Sequence, residues 1–143
     1  MLETFSSRVD RVGDNGAGLE LKLVTNRLLT THLAAIAEAV VTLEHTELSV
    51  DQAIELLRSG AVPKLLDYKS AALVERDYTP LFTVDLMAKD LRLAREGLAE
   101  TPLAAAAHEI VEAATEAGFG HDDLAAIIEI IADRFPANLD KTD

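Results

Sequence analysis

The chain alternates long helical stretches with short polar breaks, and the first stretch is the longest. From about Leu19 to Glu44 it contains no glycine or proline, and its apolar residues recur at helical spacing. These apolar positions are Leu21, Val24, Leu28, Ala35, Ala39 and Leu43. A helix of about 26 residues is about 39 Å long, which exceeds the width of a small domain. We therefore expect a central helix that leaves surface for a partner.

Local signals mark the later helices. Ser49 to Gln52 fits a capping box and predicts a helix to about Arg58, which Gly60 ends. Thr83 is a candidate N-cap, and Thr101-Pro102 is typical of an N-cap followed by proline in the first turn. The remaining helices are predicted over about Pro63–Glu75, Val84–Ala99, Pro102–Gly118 and Asp122–Arg134, the last beginning with two acidic residues that favour a helix N-terminus.

The two ends of the chain differ from this pattern. Residues 1–15 form a lead-in in which Phe5, Val9 and Val12 could make a short extended entry before a glycine-containing turn. Residues 137–143 are polar and are expected to fray. Because no repeat or interdomain linker occurs, we predict one all-α domain over residues 1–143, with about six helices around the long first one.

Charge and composition exclude several functions. The 143 residues include 13 basic and 25 acidic side chains, which gives a net charge of −12. Such a chain is a poor ligand for nucleic acid or for an anionic membrane, both of which attract clustered Lys and Arg. No stretch reaches the length and apolarity of a membrane span, and no signal peptide is recognised. The absence of cysteine suits a reducing cytoplasm.

Most candidate chemistry in the chain is weak. No two histidines are three or four residues apart, so no single-helix metal site is predicted. Glu109 and Glu112 have the spacing of a carboxylate pair, but a solvated acidic face explains them better. The glycines at positions 13, 16 and 18 lack the third glycine and the βαβ context of a dinucleotide-binding loop.

One pair of polar residues could carry a reaction. Lys22 and Asn26 are four residues apart and share one face of the long helix, near its start. A lysine can exchange a proton with an oxygen that interconverts between hydroxyl and carbonyl, while an asparagine holds that oxygen. The alternative, which spacing alone favours, is an exposed and solvated pair.

A second segment, Phe82 to Leu91, combines an aromatic residue with a lysine. Phe82 and Lys89 fall on adjacent helical faces, where an ammonium near a ring could bind an anionic or planar group. Periodicity alone favours an ordinary amphipathic helix in which Lys89 and Asp90 are solvated.

Four segments, in order, resemble the β-hydroxyacid dehydrogenases, which include 3-hydroxyisobutyrate and 6-phosphogluconate dehydrogenases. Gly16 to Asn26 is similar to the family signature Gly-x-Gly-x-x-x-Lys-x-x-x-Asn, and Glu38-Ala39 matches a Glu-Ala pair. Phe82 to Leu91 looks like the family's Phe…Lys-Asp-Leu segment, and Gly118 to Asp123 its Gly-x-Gly-x-x-Asp turn. The resemblance is to the C-terminal helical domain and implies that the N-terminal dinucleotide-binding domain is absent.

The resemblance implies specific roles. Lys22 would be the catalytic acid/base, Asn26 would bind substrate, and Lys89 with Phe82 would line the nicotinamide cofactor. The cofactor would be NAD or NADP, bound only together with the missing domain, and the chain would form a homodimer. Leu19 stands where the 6-phosphogluconate branch tends to carry histidine, which favours a small 3-hydroxy acid as substrate.

Two other interpretations stay open from the sequence. The chain could be a non-catalytic helical dimerisation module derived from that family. The stability of its dimer would then not depend on Lys22 and Asn26. It could also be an unrelated acidic helical bundle whose matches are fortuitous, an interpretation that a fold without the central long helix would support.

Overall fold

The fold is all-α and is built around one long helix, as the sequence predicts. The computed structural model describes residues 10–59, 63–99 and 101–135. The first helix, α1, spans Ala17–Glu44 and begins two residues earlier than expected. The other helices in the described ranges are α2 (Val50–Arg58), α3 (Pro63–Glu75), α4 (Val84–Gly97), α5 (Pro102–Ala114) and α6 (Ile127–Arg134).

Helix α1 is the centre of the packing and contacts each of the other five helices. Its buried face carries Leu23, Thr30, Leu33, Ala34, Ile36, Ala37, Val40 and Val41. The apolar residues whose spacing predicts the helix lie mostly on another face, where Leu21, Val24 and Leu28 are half-exposed. Because α1 is apolar on more than one face, periodicity detects the helix but does not identify the side that packs.

Helix starts follow the local sequence closely. The Ser49 hydroxyl accepts a hydrogen bond from the Gln52 backbone N–H, and the Thr83 hydroxyl accepts one from Leu86. Thr101 precedes α5 as predicted, but its side chain makes no capping hydrogen bond. The third helix has the predicted bounds, whereas α4 ends at Gly97, two residues before the predicted end.

The predicted end of α5 and the predicted start of α6 are wrong, whereas the predicted end of α6 at Arg134 agrees with the structure. Helix α5 ends at Ala114, and a π-helical turn over Thr115–Phe119 follows, in which Gly118 has φ 97°. A 3-10 turn over Leu124–Ala126 then leads into α6, which starts at Ile127 and not at Asp122. The physical reason is that the Asp123 carboxylate is buried and caps this tight turn, so the chain cannot be helical across it.

Some expectations lie outside the described residues. These are the extended entry at Phe5 and Val9, the end of the second helix at Gly60, and the frayed tail over residues 137–143. Val12 is described and belongs to no helix. Within the described ranges, no helix has both the length and the apolar character needed to cross a membrane.

Candidate active site

The structure brings Lys22 and Asn26 together on a third residue, Asp90 of α4. The Lys22 Nζ atom donates to Asp90 Oδ2 at 2.7 Å, and the Asn26 Nδ2 atom donates to the same oxygen at 2.8 Å. Lys89 Nζ lies 3.4 Å from the other carboxylate oxygen, Oδ1. Three of the four residues predicted for the site therefore meet at one buried carboxylate. We call Lys22, Asn26, Lys89 and Asp90 the lysine–aspartate cluster.

Two helices position this cluster. Residues four apart on α1 lie one above the other, so Lys22 and Asn26 can reach one atom of a neighbouring helix. Arg27, the next residue on α1, donates from Nη1 to the Ala99 carbonyl at 2.8 Å and from Nη2 to the Ala94 carbonyl at 3.1 Å. The Ala94 carbonyl also accepts from the Leu98 N–H, so Arg27 is a second donor in the last turn of α4 and ties that end of the helix to α1.

The carboxylate of Asp90 is buried, whereas the ammonium groups around it are half-exposed. The Asp90 side chain is 3% exposed, whereas the Lys22 and Lys89 side chains are 51% and 52% exposed. The expectation that Asp90 is solvated is therefore wrong. Removing a carboxylate from water costs free energy, so buried carboxylates are surrounded by hydrogen-bond donors and opposite charge. Here two ammonium groups and one amide surround Asp90.

The charges of the cluster support each other. Burial by itself raises the pKa of the Asp90 carboxyl, but hydrogen bonds and positive charge from Lys22 and Lys89 outweigh burial and hold that pKa below its ordinary value. Two cations and one anion leave a net charge of about +1, in a chain whose net charge is −12. The cluster is thus a locally positive site on an acidic protein, and such a site attracts anionic ligands.

The geometry gives Lys22 a defined direction and an open side. An ammonium carries three N–H donors, and the hydrogen bond to Asp90 uses one of them. Since about half of the side chain is exposed, the remaining donors can reach an oxygen of a bound molecule. Lys22 is neither sealed in the interior nor a freely moving surface lysine, which is the condition for a positioned proton donor.

Phe82 is not part of the lysine–aspartate cluster. It lies outside α4, just before the Thr83 cap and seven residues before Lys89. The ring is part-buried and packs against the core, and the backbone N–H donates to Asp123 Oδ2 at 3.4 Å. The structure therefore connects Phe82 with Asp123, and not with Asp90.

Sequence reasoning missed the two aspartates that organise this region. Periodicity read around Lys89 favours a solvated Asp90, yet the spacing of Asp90 itself carries the opposite signal. It lies three residues after Met87 and four before Ala94, both of them buried, so helical periodicity places it toward the packed face. The burial of Asp123 had no comparable local signal, because its partner Lys69 is 54 residues away. Within the described ranges, no group of three or more potential metal ligands is present.

Comparison with known proteins shows the family of this chain. A family model described as NAD-binding of NADP-dependent 3-hydroxyisobutyrate dehydrogenase matches residues 16–131, which is most of the chain and includes the whole lysine–aspartate cluster. The chain belongs to this family. Its membership confirms the resemblance to the β-hydroxyacid dehydrogenases and, together with the long α1, excludes the interpretation of an unrelated bundle.

Comparison with individual proteins leads to the same family. The chain is 30% identical over 136 residues to an L-threonate dehydrogenase from Pectobacterium atrosepticum, a match that covers 91% of this chain and 45% of the relative. It is 31% identical over 136 residues to 2-(hydroxymethyl)glutarate dehydrogenase from Eubacterium barkeri, covering 91% and 45%. The crystal structure of a 3-hydroxyisobutyrate dehydrogenase from Salmonella typhimurium superimposes with a TM-score of 0.79 at 30% identity, covering 90% of this chain and 47% of that one. The chain thus spans slightly less than half the length of these relatives.

Proposed function

We propose that the chain is the C-terminal substrate-binding and dimerisation domain of an NAD(P)-dependent dehydrogenase acting on a small 3-hydroxy acid. The observation that carries the proposal is the lysine–aspartate cluster, in which a half-exposed ammonium is held by a buried carboxylate. Family membership supports the reaction class, and relatives named for L-threonate and 2-(hydroxymethyl)glutarate support a hydroxy-acid substrate.

The cluster fits one side of a cofactor cleft. The chain contains no Gly-x-Gly-x-x-Gly phosphate loop, so a dinucleotide would need a second domain for its phosphates. Lys89, the half-exposed α4 lysine of the cluster, would face the nicotinamide end, with Phe82 before it on the same segment. The chain alone is therefore expected to bind NAD or NADP at most weakly.

The chain's own residues divide the work of reduction. When bound, the reduced nicotinamide supplies a hydride to the carbonyl carbon of the substrate. Lys22 gives a proton to the carbonyl oxygen, so the C=O bond becomes CH–OH, and in the reverse direction Lys22 takes that proton back. Asn26 holds the substrate beside Lys22, and Asp90 fixes the direction of both side chains. The net positive charge attracts the substrate carboxylate.

Joining the chain to a dinucleotide-binding domain tests this function. We expect the joined protein to oxidise NADH or NADPH with a small aldehyde or keto acid, and the 143-residue chain by itself to show no turnover. Absorbance of the reduced nicotinamide measures the rate, and circular dichroism checks that the helical domain is folded in both proteins. A folded joined protein without activity on hydroxy acids or their carbonyl forms would favour the non-catalytic module.

We also infer that two copies associate through the exposed apolar face of α1. Leu21, Val24 and Leu28 are half-exposed at three- and four-residue spacing, so they form a continuous stripe that a second copy can bury. Exposed single apolar residues are common on soluble proteins, but a contiguous stripe is typical of an interface.

A charge placed in the stripe tests the dimer. The native chain should sediment as a dimer at tens of micromolar, and Val24→Asp should sediment as a monomer because an unpaired charge at the interface core is strongly unfavourable. Leu56→Asp is the matched control, since Leu56 is even more exposed and lies on α2, outside the stripe. A native chain that is monomeric at this concentration, or a Leu56→Asp effect as large as that of Val24→Asp, would contradict the proposed interface.

A further inference from the structure

We propose that Asp123, held by Lys69, is a positioning residue that sets the location of α4 and thereby the geometry of the lysine–aspartate cluster. Asp123 lies in the turn after the π-helical segment, and its own side chain is no part of that cluster. Its catalytic relevance rests on the proposed function, whereas its control over the contacts of Asp90 is a property of the chain alone.

The Asp123 carboxylate collects donors from three separate parts of the chain. Lys69 of α3 donates to both oxygens, at 2.6 and 2.8 Å. The Leu81 backbone N–H donates at 2.9 Å and that of Phe82 at 3.4 Å, while the N–H of Ala125 donates at 2.9 Å. A carboxylate offers about four lone-pair sites, so the acceptor capacity of Asp123 is fully used. The ion pair is deeply buried, with the Lys69 side chain 11% and the Asp123 side chain 2% exposed.

Backbone hydrogen bonds extend this anchor along the segment that leads into α4. The N–H of Asp123 donates to the Tyr78 carbonyl, and the N–H of Leu124 donates to the Phe82 carbonyl, both at 2.9 Å. In the other direction, the Val84 N–H donates to the Asp122 carbonyl at 3.0 Å. The loop before α4 and the turn at Asp123 therefore bind each other on both sides.

The first turn of α4 lies directly on a glycine of the same turn. The Asp85 N–H donates to the Gly120 carbonyl at 2.9 Å. The Asp85 side chain also lies over Gly120, since a Cβ atom at position 120 would lie 2.5 Å from its carboxylate and would make that side chain turn aside. The backbone hydrogen bond thus ties the first turn of α4 to the turn before Asp123.

Fixing the two ends of α4 determines where Asp90 stands. The Asp123 turn holds the start of the helix, and Arg27 ties its far end to α1. Asp90 lies six residues, or about 9 Å of helix rise, after Val84. Since α-helices are stiff over this length, a displacement at the start of α4 moves Asp90 relative to Lys22 and Asn26. Reactive geometry is sensitive to such shifts, because a misplacement of about 1 Å can cost on the order of 100-fold in rate.

The Asn26 side-chain amide provides a test at neutral pH in the 143-residue chain. Its Nδ2 donates to Asp90, so its amide proton shifts and hydrogen exchange in NMR spectra report that contact, with exposed Asn15 as the internal reference. Asp123→Asn and Lys69→Met should move the Asn26 signals toward those of Asn15 and speed their exchange. Lys69→Arg, which keeps the charge, should stay close to the native spectrum.

Ile54→Ala is the control for a loss of stability alone. Ile54 is buried on α2, away from the loop and the turn, so this variant should unfold more easily while the Asn26 signals stay unchanged. If the Asn26 signals are also unchanged in every folded variant of Asp123 and Lys69, Asp123 is a structural residue only and the inference is wrong. Because the measurement needs no turnover, it can succeed or fail independently of the proposed dehydrogenase activity.

Discussion

Lys22→Ala should lower kcat by about 100- to 10,000-fold in a protein that joins this chain to a dinucleotide-binding domain. That range is the usual contribution of a positioned acid–base group. The structure explains why no neighbour replaces Lys22. Lys89 is near the opposite oxygen of Asp90, at 3.4 Å, and it points from a different helix, so its ammonium does not occupy the position that Lys22 leaves.

Two matched variants separate proton transfer from charge. Lys22→Arg keeps a positive charge that can pair with Asp90, but guanidinium does not release a proton at accessible pH, so substrate binding should be retained while kcat stays low. Lys64→Ala removes an exposed lysine from α3 and should leave the rate unchanged. Steady-state kinetics of the joined proteins give kcat and, through KM, the effect on substrate binding. A Lys22→Ala rate equal to that of the unmodified joined protein would exclude Lys22 as the acid/base.

Asp123→Ala should have the largest effect on stability, lowering the free energy of unfolding by about 3–5 kcal/mol. The variant leaves the Lys69 ammonium buried without its counter-charge, and it leaves the Leu81 and Ala125 N–H groups without their acceptor. Asp90→Ala should cost less, about 1–3 kcal/mol, because water can solvate the half-exposed Lys22 once its partner is removed.

The buried ion pair of Asp123 and Lys69 also predicts how the stability of the fold depends on pH. Burial by itself raises the pKa of the Asp123 carboxyl, but hydrogen bonds from Lys69 and from the Ala125 and Leu81 N–H groups outweigh it and lower that pKa. A carboxyl with a lowered pKa in the folded state stabilises the fold above the unfolded-state pKa of about 3.9, and this contribution is lost as the pH falls through the folded-state pKa. Asp123→Ala should therefore lose less of its stability on acidification than the native chain.

Urea unfolding followed by circular dichroism measures both effects, at pH 7 and in steps of decreasing pH. Asp133→Ala, which removes an exposed carboxylate from α6, should change the free energy of unfolding by no more than about 0.5 kcal/mol. An Asp123→Ala variant as stable as this control would show that the buried ion pair contributes no net stability.

Part of the candidate site follows from the sequence because it depends on short-range geometry. Lys22 and Asn26 lie on one helix, and a separation of four residues places them side by side whatever the helix packs against. The residue that they both contact was not predicted, because Asp90 lies 68 residues from Lys22 and 64 from Asn26. Phe82 and Lys89 are on one continuous segment, but the structure gives them different partners, Asp123 and Asp90.

Local sequence is enough to predict the all-α class, the long first helix, the starts of the capped helices and the shared face of Lys22 and Asn26. These features depend on residues within about one helical turn of each other, where side-chain caps and helical spacing act. Which apolar face of α1 is buried, and which carboxylates are removed from solvent, depends on long-range packing. Asp90 and Asp123 are each held by a lysine more than 50 residues away, Lys22 and Lys69, and the free energy of burying a charge depends on such partners, whose positions the local sequence does not give.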